Sequence, residues 1–144
     1  MGVKIKDYSG QMTVEFVVAF PVMIMVALVA TNALLFFSEC AAFDRIVQES
    51  ARIHLASPAY GQSLEQSSAA AEQEISKRFD KDYLSFSTTY SQSGSGHISF
   101  TANLEFSPTL FGMGLRSEFF GLSLPSLHHS STAVIDSYKP GVLL

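Results

Sequence analysis

Residues 16–38 read FVVAFPVMIMVALVATNALLFFS, 23 consecutive positions without an Asp, Glu, Lys or Arg. As a helix rising about 1.5 Å per residue, the run covers roughly 35 Å. A bilayer hydrocarbon core is about 30 Å thick, so the segment can span it with some tilt. Its polar residues, Thr31 and Asn32, are uncharged. Pro21 lies one turn in, where its ring can kink a helix. A buried core helix is the competing reading, but a chain of 144 residues would have to hide a helix that is apolar all round. A cleaved secretory signal is the other competitor. Its apolar core runs only about 7–15 residues before a small-x-small site. This run is longer, and Ala30 and Ala33 make a weak site.

The flanks orient the segment. Lys4 and Lys6 precede it with only Asp7 opposing them, which keeps the first residues cytoplasmic and sends the remainder outward. Past the run, Glu39, Asp44 and Arg45 show no basic bias. Glu15 stands directly before Phe16. An acid drawn deep into a bilayer costs about 2.5–3.5 kcal/mol, so an ionisable group at this edge is a functional candidate that needs a partner. The plainer reading places Glu15 in the first helical turn, where the helix dipole favours an acid.

The residues around Glu15 form a pattern: Ser9-Gly10-Gln11-Met12-Thr13-Val14-Glu15-Phe16. A short basic leader ends at Gly10, Glu15 is the fifth residue after it, and the apolar run starts at once. This resembles the class III signal of type IV pilin-like proteins, in which a membrane peptidase cuts after the glycine on the cytoplasmic side and the apolar helix stays on the mature chain. Cleavage between Gly10 and Gln11 would create an α-amine. With a pKa of about 7.7–8.0 it is largely cationic at neutral pH, and it would lie one turn from Glu15. In the family, the matching glutamate registers subunits during assembly. The finer resemblance is to the TadE-like minor pilins or pseudopilins of tight-adherence (Flp) pili. It is carried by Gln11 to Phe16, Pro21 within the run, and Phe36 leading past Ser38 into Cys40, Ala41, Ala42 and Arg45. It is strong over roughly residues 9 to 55 and weaker beyond. The mature form would begin with Gln11 rather than the Phe of standard type IV pilins. Flp major pilins are much shorter and have almost no exported domain.

Beyond the run, the helix is expected to continue to about Leu55. Arg45, Gln48, Glu49 and Arg52 form a polar stripe, with Arg45 and Glu49 at the spacing of an i,i+4 pair. Cys40, Phe43, Ile46, Val47 and Ile53 lie mostly opposite. Ser57-Pro58 and Gly61 end the helix. A second helix is expected from about Ser63 to Phe79, opened by a Ser63/Gln66 capping box and closed by Lys77 and Arg78. Alternation at Leu84, Phe86, Thr88 and Tyr90, and again at Ile98, Phe100, Ala102, Leu104 and Phe106, predicts a hairpin with a turn in Ser91 to Gly96. One face of that sheet is expected to pack on the long helix. Residues 107–127 are apolar but broken by Pro108, Gly112, Gly114, Gly121 and Pro125. They read as an ordered loop or short helix capping the sheet, or as a subunit contact through Phe111, Phe119 and Phe120. A last strand is expected from His129 to Tyr138, with consecutive Ala133, Val134 and Ile135 suggesting burial on both faces. The fold class is therefore α+β: a long N-terminal transmembrane helix, a second helix and a small antiparallel sheet of about three strands. The chain divides into a leader (1–10), the membrane and extended helix (11–56) and an exported domain (57–144).

Charged residues make up 15% of the chain and the net charge is −4. Phosphate binding needs a basic surface, so a nucleic-acid partner is not expected. The single cysteine, Cys40, forms no intrachain disulfide and reads as a small buried apolar residue, with an intermolecular disulfide or a lipid attachment as the alternatives. His128 and His129 are adjacent and would point to opposite faces of a strand. With His54 and His97 they lack partners at ligand spacing, so no metal is expected. No G-x-S-x-G and no phosphate-binding glycine loop is present. Glu72 and Glu74 read as carboxylates on a solvated helix face. No enzyme activity and no cofactor are expected. The resemblance implies membrane lipid, prepilin peptidase, other pilin subunits and the pilus assembly machinery as partners. A plain bitopic protein with an extracytoplasmic binding domain, and a secreted domain released by signal cleavage, are the competing functions.

Overall fold

The computed structural model describes residues 9–56, 58, 61–110, 113–116, 118–119 and 122–136; for residues 9, 11, 113–116, 118–119 and 122–123 it describes the backbone alone. One unbroken helix, α1 (Ser9–Leu55), carries the apolar run and 17 residues beyond it. Pro21 sits inside this helix. The buried positions of α1 recur at three- and four-residue steps: Leu28, Asn32, Glu39 and Cys40, Phe43, Val47, Ser50 and Ala51, Leu55. That period places them on one stripe of the cylinder.

Helix α2 (Leu64–Arg78) packs on the second half of α1. The capping box at its start is formed. Ser63 Oγ accepts from the Gln66 amide, and the Gln66 side chain accepts from the Ser63 amide. Ala71, Ile75 and Phe79 are its buried contribution to the core. Phe79 meets Phe43 edge-on, with ring centroids 5.3 Å apart.

Strands β1 (Leu84–Gln92), β2 (His97–Phe106) and β7 (Leu127–Asp136) make an antiparallel sheet in the order β1-β2-β7. The hairpin turn occupies Ser93 to Gly96, where Gly96 has a φ of 89°. Glycine reaches that left-handed conformation without a Cβ clash. Every second residue of β2 (Ile98, Phe100, Ala102, Leu104 and Phe106) is buried beneath α1.

Three expectations need correction. Val134 is 68% exposed while Ala133 and Ile135 are buried. The helices cover one face of the sheet, so β7 has one buried face rather than two. Tyr90 is 45% exposed, because β1 is an edge strand and only Leu84 and Phe86 join the core. Between β2 and β7 the chain forms two short ladders rather than a loop or helix: β3 (Thr109–Leu110) with β4 (Met113–Arg116), and β5 (Glu118–Phe119) with β6 (Leu122–Ser123). Proline and glycine deny this segment a helix, and its backbone groups pair in hairpins instead.

Candidate functional site

The first half of α1 is exposed around its whole circumference. From Met12 to Ala27 every side chain is exposed, and Val17, Met23 and Val29 are more than half so. Its most apolar 18-residue window has a mean hydropathy of 2.4 and is 6% buried. A core helix would bury that surface, so that reading is excluded. Phe16 and Phe20 stack one turn apart, with ring centroids 5.6 Å apart. Both are exposed.

Gly10 lies within α1, one residue from its start, and is exposed. Its φ is not positive, and among the described residues a Cβ built there meets no atom within 4 Å. Neither packing nor backbone geometry asks for glycine here, and glycine inside a helix costs about 1 kcal/mol relative to alanine. Glu15 is exposed and has no hydrogen-bond or ion-pair partner among the described residues. The helix begins at Ser9 and its first turn holds no acid. The dipole reading of Glu15 is thereby corrected, because the acid lies past the turn where that effect acts. Gln11 continues the helix, and its side chain lies outside the described set.

From Leu28 onward one face of α1 carries the domain through a ladder of polar and aromatic contacts. Asn32 is buried. It donates to the Thr109 carbonyl at 2.8 Å and accepts from the Thr109 amide at 2.8 Å. It also donates to the Leu28 carbonyl at 2.9 Å. One turn up, Phe36 meets Phe106 with centroids 5.7 Å apart. Glu39 is buried against Lys81, with which it forms an ion pair, and Tyr83 Oη donates to the same carboxylate at 3.3 Å. The hydrogen bond to Glu39 holds the Lys81 amine above its ordinary pKa, against the opposing effect of burial. Further up, His129 Nε2 lies 2.8 Å from Asp44, and Gln48 donates to the Thr132 carbonyl at 3.0 Å.

Other sequence candidates fall in place around this ladder. Ser38 is exposed and Cys40 is buried. Burial, then Asp44 and Glu39, push the Cys40 thiol above its ordinary pKa. Arg45, Gln48, Glu49, Arg52 and Ile53 line an open groove on α1. No hydrogen bond or ion pair joins Arg45 to Glu49, contrary to the expected pairing, and Ile53 is exposed rather than inward. Glu72 accepts from Thr88 Oγ1 at 2.9 Å, and Glu74 pairs with Arg78. His97 pairs with Asp136, and His128 approaches Ser126. Phe111 and Phe120 lie outside the described residues, and Phe119 is described only as backbone of β5. The structure thus brings Gly10 and Glu15 onto one free helix end, and it does not place the three phenylalanines. Sequence reasoning missed Asn32, Glu39, Lys81 and Thr109. The available signal was a lone amide inside an apolar run, which in membranes acts as glue between elements.

A long N-terminal apolar helix, bare along its first half, with a small antiparallel sheet packed on its second half, is a pilin-like arrangement. It fits a membrane-anchored protein with a small C-terminal α+β domain. Compared with protein families, curated proteins and solved structures, the chain matches none.

Proposed function

We propose that this protein is a minor pilin or pseudopilin of the TadE-like, tight-adherence branch. A prepilin peptidase cuts it after Gly10. It waits in the cytoplasmic membrane with its N-terminus inside and its domain outside, then joins a pilus or its base through α1. Its role is structural and not catalytic. The observation that carries the proposal is Gly10, an exposed glycine in a helix that the fold does not require. A peptidase that must approach the backbone closely gives that glycine a reason. Glu15 supports the same reading. It stands bare at the lip of the apolar run, and the new Gln11 amine, or that of a neighbouring subunit, would supply the missing cation.

The N-terminal residue of the mature protein tests this. Gln11 is expected. Met1 would indicate the plain bitopic protein, and a start beyond Ala33 the secreted domain. Gly10→Leu should block maturation while leaving the folded domain intact. If that variant still matures at Gln11, the peptidase argument fails. Glu15→Ala should be processed yet excluded from the pilus, and normal assembly of that variant would remove the role given to Glu15.

A further inference from the structure

The three-stranded sheet ends on two edges that match each other. Strand β1 reads LSFSTTYSQ, nine residues without a charge or a proline. Its ladder to β2 runs in unbroken register from Leu84 to Gln92. Charges, prolines and bulges keep an edge strand from pairing with another chain, and β1 has none of them. Main-chain groups alternate in direction along an antiparallel strand. The Ser93 amide donates to the His97 carbonyl, so the odd-numbered residues of β2 face β1 and the even-numbered ones face β7. On β1 this turns the N–H and C=O groups of Phe86, Thr88 and Tyr90 out of the sheet, and none of them bonds to another described residue. On β7 it turns out Ser130, Thr132 and Val134, and the outward Thr132 carbonyl accepts from Gln48.

The direction of both edges follows from α1. Phe36 meets Phe106, which pairs with Leu127, and Gln48 meets Thr132. From Phe36 to Gln48 the helix rises about 18 Å. From Leu127 to Thr132 the strand covers about 17 Å. Strand β7 therefore runs along α1 in the same sense, and so does β1, two antiparallel steps away. Where α1 spans a bilayer, both edges stand upright on it, and all copies inserted the same way share that direction. Two β1 edges cannot then pair antiparallel, because that pairing turns one α1 over. Paired in parallel, they would set the apolar row of one copy beside the polar row of the other. A β1 edge and a β7 edge meet neither obstacle. At equal height Thr89 lies opposite Thr132, since both stand across from Thr101 within their own sheet. Thr132 then turns its main chain toward Thr88 and Tyr90 of the neighbour, as a parallel ladder requires. Thr88 and Tyr90 fall beside Ser131 and Ala133 on the helix-covered face, and Ser87 and Thr89 beside Ser130 and Thr132 on the open face.

We infer that β1 of one copy pairs in parallel with β7 of a second copy in the same membrane, so that copies join edge to edge. The contact is head-to-tail and leaves an edge free at each end for a further copy. The inference rests on α1 being a membrane span and not on cleavage at Gly10. Gln48 need not leave its place, because a carbonyl oxygen has two lone pairs. The Thr132 carbonyl can hold Gln48 and also accept from the Tyr90 amide of the neighbour. Tyr90, exposed at the end of the inner row of β1, gains cover in the same contact.

Disulfide trapping tests the pairing. The full chain carries Thr89→Cys and Thr132→Cys in a Cys40→Ala background, is reconstituted into phosphatidylcholine vesicles and is oxidised with copper phenanthroline. Both positions are exposed. Within one copy they stand two strands apart, about 10 Å, too far for a disulfide. Between paired copies they stand about 4.8 Å apart, within reach of one. The double variant should give dimers, trimers and higher multimers, and either single variant should stay monomeric. Adding Tyr90→Pro removes the N–H aimed at the neighbour's Thr132 while sparing the copy's own ladder, and should cut the multimers about tenfold. A double variant that floats with the vesicles but stays monomeric overturns the pairing and leaves the span. Dimers from Thr89→Cys alone put β1 against β1 and overturn it too, as do multimers that Tyr90→Pro does not reduce. A chain that fails to float with the vesicles removes the span and the pairing with it.

Discussion

Asn32→Leu isolates the contact that fixes the height of the domain on its helix. The substitution removes two hydrogen bonds to Thr109, each 2.8 Å long. It also removes the bond to the Leu28 carbonyl, which as a helix carbonyl keeps its main-chain partner. Leucine is the better helix former and is at home in lipid, so α1 itself should not suffer. Each lost bond is worth about 1 kcal/mol net, so the docking of Thr109 weakens by about 2 kcal/mol. At 1.36 kcal/mol per decade, local opening becomes about 30-fold more frequent. Native-state hydrogen exchange on the full chain in micelles reads this directly. The Thr109 amide should exchange about 30-fold faster, and the Phe100 amide in the central strand should not change. An unchanged Thr109 amide would refute the claim that Asn32 holds it. Equal acceleration at Phe100 would show that the residue supports the whole domain rather than the Thr109 contact alone.

Phe43→Ala deletes a fully buried ring at the α1–α2–sheet junction. It should cost about 3–5 kcal/mol, read as a fall in the urea midpoint, and a loss below 1 kcal/mol would contradict the packing. The Lys81 amine is held above its ordinary pKa in the folded chain. Its stabilising effect is therefore complete below the unfolded value of about 10.4 and is lost as pH rises through the folded value. The stability difference between wild type and Lys81→Met should be constant from neutral pH to about 10 and shrink above that; a difference that persists in strong alkali would argue against the ion pair. Cys40 is buried and its thiol is pushed up by burial, which lowers the thiolate fraction. Iodoacetamide should modify it far more slowly in the folded chain than in urea, and equal rates would place the thiol at the surface.

The elements were legible wherever a local rule decides them. The absence of charge from Phe16 to Ser38 gives the long apolar helix, and the Ser63/Gln66 pair gives the start of α2. Alternation gives β2, whose five apolar residues are all buried. The errors arose where tertiary cover decides burial. Val134 belongs to an apolar triplet, yet it faces outward because no second layer covers β7. Ile53 looks inward by composition, but α1 turns Ser50, Ala51 and Leu55 to the core instead. Gly10 and Glu15 were singled out by sequence spacing, and both are exposed near the start of α1. The contacts higher on α1 were not legible, because Asn32–Thr109 and Glu39–Lys81 join residues 77 and 42 positions apart, and no single-chain pattern announces such pairs.

These contacts give α1 two unlike faces above the bare segment. The inner face is saturated: Asn32, Glu39, Asp44 and Gln48 spend their polar groups on the chain's own domain. The outer face spends none among the described residues, and Leu34, Phe37 and Ile53 are exposed at 71%, 67% and 57%. In a lone subunit, lipid can cover Leu34 and Phe37, but Ile53 stands about 24 Å further along the axis than Phe37, beyond any bilayer that contains Glu15 at its other edge. A helix built only to anchor a domain gains nothing from apolar surface at that height. A helix that leaves lipid for contact with neighbouring helices uses the whole outer face, with Arg45, Glu49 and Arg52 beside Ile53 to select the partner by charge. On the pilin reading proposed above, the anchor and the assembly surface would be one element, with the domain docked to it at Asn32 and Glu39.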